Sequence, residues 1–536
     1  MNDLEPSRRE SRLRRALVAA AALPPLFLVA AELWVFSGRW GFPLDDSWIH
    51  LVFARNLSRG LGLAFNPGTL VAGTTSPLWT ALLAVLYLLP GPTFAWVQAA
   101  GIAAHLVAVD GTYRLARALD LTPRWSLVAG AFVAANHWLV WSSVSGMEIP
   151  LFVALSLAGT RRHLAERSAA PGAGPPVSFL FFGLAALARP EGLLLPILAA
   201  LDRLLRIDSP RGRWRADLTD LLVGFAAVAI LVVPVALFFR HASGSFLPTT
   251  FAAKSTGPPG WWPNGQYLWT AFGVVNQAAP VLALLAGGGI ALRLRRFAER
   301  DAGLLPVFWL LGMPLAYSFL QQGHDLVLGN FGRYYFPLLP FVVVLACVAL
   351  AEIGFERLRA VSLAGIKFPL AALLAAAIAL PTGVELMGTL PFYLRNLANV
   401  EDSDVAVAKW LAPRLDPRAV LAVNDIGAIK YLLPNPIVDL IGIATPEAVP
   451  FMFATARRDH LSFHQAMLRF VEEKKPDYLI VFPTWFKEAA KDPQRFPVLY
   501  RRPVPDNATM GGDEVVIYGT PWTRWPIAES PPPAVP

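Results

Sequence analysis

Apolar stretches separated by short polar loops recur along the first three quarters of this chain. A helix needs roughly 20 apolar residues to cross the hydrocarbon of a bilayer. The pattern predicts eleven membrane-spanning helices, near 16–37, 94–113, 125–142, 149–160, 177–189, 191–205, 217–239, 267–292, 303–321, 334–352 and 368–387. The apolar run at 76–90 is too short to span, and we expect a helix lying in or dipping into the membrane interface.

Positive charge alternates from loop to loop along these segments. The loops on one predicted side hold 23 Lys and Arg residues, whereas those on the other side, before position 388, hold seven: Arg39, Arg55, Arg59, Arg189, Arg240, Lys254 and Arg333. Lys and Arg concentrate in cytoplasmic loops. We therefore expect a multi-pass membrane protein with a cytoplasmic N-terminus. Residues 38–93, 143–148, 189–191, 240–266, 322–333 and the chain after about 388 then lie on the outer face.

The chain after residue 388 has a different pattern. Short apolar runs at 420–423, 436–442, 477–482 and 514–518 predict strands, and helical stretches such as 403–412 and 459–474 lie between them. We predict three regions. They are an all-α transmembrane module over 1–388 with its first outer loop at 38–93, an α/β domain over 389–524 outside the membrane, and a disordered tail over 525–536.

Composition argues against a soluble enzyme and against nucleic acid as a partner. Hydrophobic residues make up 55% of the chain and charged residues 16%, which is too apolar for a mixed, charged surface. The net charge of +8 lies in the membrane part, because residues 390–536 carry 16 Lys and Arg against 17 Asp and Glu. The positive charge is therefore a topology signal. One cysteine, Cys347, allows no intrachain disulfide.

Unusual polar residues of the apolar part fall mostly in the predicted outer loops. Polar groups so close to a bilayer are costly unless they are used. Carboxylates and cations gathered in one cavity have the chemistry to bind a phosphate-linked substrate and to move a proton. The candidate site residues are Asp45, Asp46, His50, Arg55, Asn56, Glu148, Arg189, Glu191, Lys254 and Arg333.

Several of these residues have a structural explanation as well. Asp45 and Asp46 would equally cap the N-terminus of a helix, and Glu148 would equally be a first-turn acid of the next helix. Arg189 and Glu191 flank a proline. There the alternative is an arginine that extends to the interface beside an ion-pair partner.

His50 follows Asp46 by one helical turn, which favours a shared site, but a lone histidine is more often an interfacial residue with satisfied hydrogen bonds. Paired carboxylates suit a hard cation, so Asp45 and Asp46 are also a candidate site for Mg²⁺, Mn²⁺ or Ca²⁺. No other cofactor is expected. The sequence contains no GxxxxGK[ST] loop, no HExxH and no Gly-X-Ser-X-Gly elbow, which argues against ATP as an energy source.

The first outer loop carries a specific string of residues. Asp45-Asp46-Ser-Trp-Ile is followed by Ala54-Arg55-Asn56-Leu, Gly60-Leu-Gly62, Phe65-Asn66-Pro-Gly68 and Gly73-Thr-Thr-Ser-Pro77-Leu-Trp79. This order resembles the first outer loop of bacterial GT-C glycosyltransferases and, within them, the terminal arabinofuranosyltransferase branch. Shorter segments are similar to later blocks of that family: Ser145-Gly-Met-Glu148, Ala188-Arg189-Pro190-Glu191-Gly192, Gly332-Arg333-Tyr334, Asn424-Asp425-Ile-Gly427 and Val438-Asp439-Leu-Ile-Gly442.

The resemblance implies an enzyme of the bacterial plasma (inner) membrane with a periplasmic C-terminal domain. It implies transfer of a hexose or pentose from a polyprenyl-phosphate donor to a glycan, lipid or protein acceptor of the cell envelope. Asp45 would then be the general base, with Asp46 beside it and Glu148 as a second acid. Arg189 and Arg333 would bind the donor phosphate. Among the other outer-face candidates, we expect Arg55 to contribute to donor phosphate binding and His50, Asn56, Glu191 and Lys254 to bind substrate.

Two other classes of protein remain open. A transporter or binding protein for a polyprenyl-linked or anionic solute would more often place ionisable residues at mid-membrane in repeat-related broken helices, and the sequence shows no internal repeat. A non-catalytic scaffold that binds envelope glycans would not need Asp45.

Overall fold

The computed structural model describes residues 8–169, 174–205, 213–253, 259–322, 330–353, 361–363, 366–368 and 370–528. Lys254 and residues 529–536 of the predicted tail lie outside the described residues. The remainder of that tail is ordered, because Ala528 donates its backbone N–H to Arg414 O at 3.1 Å and the Arg418 guanidinium lies over the Trp525 ring. The packed chain thus extends beyond the predicted boundary at 524.

The apolar part is helical. Its helices are α1 (Arg8–Ala20), α2 (Leu23–Val35), α3 (Asp45–Ser58), α4 (Pro77–Leu86), α5 (Thr93–Ala118), α6 (Pro123–Ala135), α7 (His137–Val144), α8 (Ile149–Ser168), α9 (Val177–Ala188), α10 (Leu194–Leu204), α11 (Arg213–Ser243), α12 (Thr249–Ala253), α13 (Gly265–Ala278), α14 (Leu282–Arg300), α15 (Leu305–Leu320), α16 (Leu339–Ile353) and α17 (Leu370–Val400). A short hairpin of β1 (Val361–Leu363) and β2 (Ile366–Phe368) separates the last two.

By length and composition, five helices in the described ranges are able to cross a membrane, or up to seven if each bent pair is one span. The predicted count of eleven is not confirmed. Several of the predicted spans form helices shorter than a bilayer requires, such as α9 with 12 residues and α10 with 11. The run at 76–90 forms α4, which has ten residues.

Two predicted spans are not continuous helices. The segment at 125–142 bends by 55° between α6 and α7, where the Asn136 side chain accepts the Leu139 N–H and caps α7. The segment at 267–292 bends by 110° between α13 and α14. Pro280 lies in that break, where it provides no N–H for a continuing helix, and Val281 follows it with a φ of 62°. Capping and proline chemistry therefore override the apolar pattern.

The C-terminal part contains a five-stranded sheet with the order β4-β3-β5-β7-β6. Its strands are β3 (Leu421–Val423), β4 (Ile437–Asp439), β5 (Tyr478–Val481), β6 (Val498–Pro503) and β7 (Glu514–Gly519). β3 pairs in parallel with β4 and β5, and β7 is antiparallel to β5 and β6. The helices are α18 (Ala406–Leu411), α19 (Gly427–Leu432), α20 (Ala448–Arg458), α21 (Phe463–Lys474) and α22 (Lys487–Lys491). A small sheet-containing domain near the C-terminus is thus confirmed.

The sheet and the first outer loop share one hydrophobic core. Trp48 and Phe53 of α3 are buried in the same cluster as Val423 of β3 and Ile480 of β5. The amide side chain of Asn66 also exchanges two hydrogen bonds with the backbone of Ile437, at 2.8 and 3.0 Å. The loop and the C-terminal part are therefore fixed against each other.

Candidate functional site

A cleft opens where all six predicted outer segments contribute residues, and we call it the loop cleft. Its polar lining comes from distant parts of the chain: Asp46, His50, Glu148, Arg189, Glu191 and Arg333. Glu148 is the residue before α8, whose second residue is Pro150, and Arg189 is the residue before a 3₁₀ turn that begins at Pro190. Proline favours the first turn of a helix, so both side chains lie at the start of a helical segment.

Arg189 is the buried centre of this lining. Its Nη1 donates to Glu148 Oε1 at 2.5 Å, and its Nε donates to Glu191 Oε1 at 2.5 Å. His50 Nε2 lies 3.3 Å from the other oxygen of Glu148. Burial alone would raise the pKa of Glu148, but Arg189 and His50 outweigh it and lower that pKa to about 2. The Glu148 carboxyl group is therefore ionised at neutral pH.

Arg333 connects the loop cleft with a second one. It lies in a 3₁₀ segment before α16, and its side chain is buried and donates a hydrogen bond to Asp46. Its Nε and Nη1 find no acceptor among the described residues. Buried N–H groups without acceptors are costly, so this guanidinium is suited to an anionic ligand.

We call the second cleft the sheet cleft, because residues that follow β3 and β5 line it. It shares Asp46 and Arg333 with the loop cleft and adds Asp45, Asn424, Asp425 and Trp485. Asn424 and Asp425 follow β3 directly, and Trp485 follows β5. Side chains at the carboxyl ends of parallel strands meet at one edge of a sheet, where open α/β sheets bind ligands.

Asp45 has a different environment from its neighbour. Its two carboxylate oxygens accept the backbone N–H groups of Gly427 and Ala428, each at 2.7 Å, at the N-terminus of α19. A carboxylate is favourable there because the helix dipole and the free N–H groups are positive. Asp45 therefore holds the C-terminal part in place and borders only the sheet cleft.

Two predicted site residues, Arg55 and Asn56, lie away from both clefts. Arg55 donates to Tyr431 O at 2.7 Å and to Lys430 O at 3.3 Å, so it caps the opposite end of α19. It follows Asp46 by nine residues, roughly 13 Å along a helix, and it lines neither cleft. Asn56 is buried and donates to Ala64 O at 2.7 Å, which fixes the loop after α3.

Asp425 and Asp404 were not among the predicted site residues. Burial and the neighbouring carboxylates raise the pKa values of both well above the usual range, and burial raises the pKa of Asp45 to about 7. The position of Asp425 just after a predicted strand was the signal that sequence reasoning missed. Asp404 lies in a π-helical turn, Glu401–Val405, that has no signature in the sequence.

The carboxylates do not form the metal site predicted at Asp45 and Asp46. Both oxygens of Asp45 accept backbone N–H groups, and Asp46 accepts from Arg333. No group of three His, Cys, Asp or Glu side chains suited to a metal ion occurs within the described ranges. The residues present therefore do not fit a divalent cation.

Comparison with known proteins supports the fold. Residues 395–518 match a family described as a domain of unknown function, DUF8728. No curated protein sequence matches the chain. Among solved structures, the apo oligosaccharyltransferase of Archaeoglobus fulgidus is similar over 94% of this chain and 76% of its own, with a TM-score of 0.58 and 12% identity.

Two further structures of that archaeal enzyme are similar. One, in complex with an inhibitory peptide and a dolichol-phosphate, covers 98% of this chain and 75% of its own at a TM-score of 0.57 and 13% identity. The other, a complex with Zn and sulfate, covers 89% and 69% at a TM-score of 0.55 and 16% identity. At such identities the likeness concerns the fold, and this chain has the GT-C fold of these oligosaccharyltransferases.

Proposed function

We propose that this protein is a membrane glycosyltransferase that moves a sugar from a polyprenyl-phosphate donor to an acceptor on the outer face of a bacterial inner membrane. The observation that carries the proposal is the Asp46–Arg333 pair, which lies on the wall common to the two clefts. A carboxylate and a guanidinium side by side on one wall support the proposal, because the transfer needs a proton acceptor close to a phosphate-binding group.

The loop cleft binds the donor in this proposal. Its cations, Arg189 and Arg333, come from loops that adjoin apolar helices, as a lipid-linked phosphate requires. Arg189 is already paired with Glu148 and Glu191, so it orients the acids of the cleft. Arg333, with two buried nitrogens lacking acceptors among the described residues, is the group that binds the phosphate.

Asp46 replaces Asp45 as the proposed general base. Asp46 borders both clefts, whereas the oxygens of Asp45 are occupied by α19. The acceptor hydroxyl transfers its proton to Asp46, and its oxygen forms the new bond to the anomeric carbon. The bond from that carbon to the phosphate oxygen breaks, and polyprenyl phosphate leaves with the electron pair. Binding of the phosphate to Arg333 weakens its pairing with Asp46 and makes Asp46 a stronger base.

The test is donor turnover by the purified full chain in lipid nanodiscs. Polyprenyl-phosphate donors charged with single hexoses or pentoses are supplied with envelope glycan, lipid and peptide acceptors. We expect release of polyprenyl phosphate together with a glycosylated acceptor for one of these donors. If none of the donors is cleaved by folded protein, the proposal is wrong.

A further inference from the structure

The sheet cleft contains the features of a carbohydrate site. Trp485 leaves 40% of its surface exposed at the end of β5 and lines this cleft. Its backbone carbonyl accepts from His464 Nδ1 at 2.9 Å, which holds the loop against α21. An exposed indole held in place offers a flat apolar face, against which the C–H groups of a sugar ring pack.

The polar groups of the cleft are both donors and acceptors. Asn424 is 7% exposed, and its Nδ2 has no acceptor among the described residues. The buried Thr509 hydroxyl also has no hydrogen-bond partner among the described residues. Asp425 provides carboxyl oxygens in the same cleft. Hydroxyl groups both donate and accept hydrogen bonds, so a saccharide satisfies this mixed set.

Charge separates the two clefts. The sheet cleft contains three carboxylates, Asp45, Asp46 and Asp425, and its one described arginine is Arg333, which pairs with Asp46. Burial raises the pKa of Asp45 and of Asp425, which favours their neutral forms, so this lining has little net charge. The loop cleft, in contrast, also contains Arg189. Arg189 is accompanied there by Glu148 and Glu191, so a neutral ligand meets fewer charged groups in the sheet cleft than in the loop cleft.

We propose that the sheet cleft binds a neutral, hydroxyl-rich saccharide and that this saccharide is the acceptor. The inference rests on the proposed glycosyl transfer and adds that the acceptor is a carbohydrate and that Trp485 and Asn424 recognise it. Asp46 on the shared wall then lies within reach of a hydroxyl of the bound sugar.

The experiment measures binding of neutral oligosaccharides, built of hexoses or pentoses, to the full chain in nanodiscs without any donor. Acidic oligosaccharides and a Lys/Arg-rich peptide are tested in parallel, by saturation-transfer NMR. We expect binding of a neutral oligosaccharide, weakened about tenfold by Trp485→Ala. Asn424→Ala should weaken it as well, and Trp261→Ala, which changes a tryptophan that is 95% exposed outside the cleft, should not.

A binding preference for the acidic oligosaccharide or the cationic peptide would overturn the inference, as would equal binding by native protein and folded Trp485→Ala. Melting temperatures of the variants show whether each one is folded. If Trp485→Ala does not fold, Asn424→Ala tests the same cleft. Donor cleavage separates the two proposals. A chain that cleaves a donor but binds no neutral saccharide refutes only the acceptor assignment, whereas a chain that binds the saccharide but cleaves no donor refutes the proposed function.

Discussion

Asp46 and Arg333 are 287 positions apart in the chain and form a hydrogen-bonded ion pair on the wall between two clefts. The pair joins the first turn of α3 to the 3₁₀ segment before α16. Both clefts therefore share this contact between the first outer loop and the later helices.

Arg333→Gln tests the phosphate-binding role. The variant removes the charge proposed to bind the donor phosphate and keeps an unbranched polar side chain, so we expect kcat/KM for the donor to fall at least tenfold. The control is Arg39→Gln, which changes an exposed arginine paired with Glu401 outside the clefts. Steady-state kinetics over a range of donor concentrations gives kcat/KM for both variants. Equal losses in the two variants would count against a specific role for Arg333.

Glu148→Gln tests the buried ion-pair network. In the variant, the buried Arg189 guanidinium has one carboxylate partner instead of two. Removing one partner of a buried ion pair lowers the free energy of unfolding by about 3 kcal/mol or more. We expect a clearly lower melting temperature. Glu401→Gln, at an exposed pair, should change stability by about 0.5 kcal/mol or less. Differential scanning fluorimetry compares them, and a Glu148→Gln protein as stable as the native one would show that the network is not structural.

Gly427→Ala tests the attachment of the C-terminal part to α3. A Cβ at Gly427 would lie 2.3 Å from the backbone oxygen of Asp45, so α19 must shift and its hydrogen bonds with Asp45 weaken. We expect destabilisation of about 1–3 kcal/mol. Gly383→Ala is the matched control, because no heavy atom lies within 4 Å of a Cβ there and alanine favours the helix. If both variants melt at the native temperature, α19 does not depend on this close contact.

Asp404→Asn tests the pH dependence of the carboxylate group. Burial and Asp425 raise the pKa of Asp404 in the folded protein, whereas an unfolded Asp titrates near pH 4. The folded state therefore binds more protons, and its stability falls as pH rises above about 4 through the folded pKa. For neighbouring Asp45, that pKa is about 7.

Asparagine stays neutral, so we expect Asp404→Asn to raise the melting temperature more at pH 8 than at pH 5. Asp416→Asn is the control, because that carboxylate is paired with Arg418 and its pKa is lowered to about 2. Asp416→Asn should not raise the melting temperature more at pH 8 than at pH 5. The same change at both pH values for Asp404→Asn would show that its carboxyl is not protonated in the folded state.

The sequence predicted much of the framework because the relevant signals are local. Apolar runs followed by polar residues marked β3, β4, β5 and β7. The exposed edge strand β6 was missed because it contains two arginines and buries little surface. Loop charges also indicated which segments share a face, and Glu148, Arg189 and Arg333 do line one cleft.

The different contacts of Asp45 and Asp46 in the first outer loop were not predictable from their spacing. Successive residues of a helix point about 100° apart, so Asp45 and Asp46 contact different partners even though they are adjacent. Which of them faces α19 depends on residues 427 and 428, nearly 400 positions later. The partners of Arg55 were not predictable for the same reason, since its acceptors are carbonyl groups of α19.

The most direct test of the proposed mechanism is the single-turnover rate of sugar transfer by Asp46→Asn protein with donor and acceptor bound. Loss of a general base typically slows the reaction 10²- to 10⁴-fold, and we predict a loss of at least about a hundredfold with donor binding and melting temperature retained. Asp45→Asn, measured beside it, should lose stability and keep the larger share of its rate. A transfer rate for Asp46→Asn within a few-fold of the native rate would contradict the assignment of Asp46 as the base.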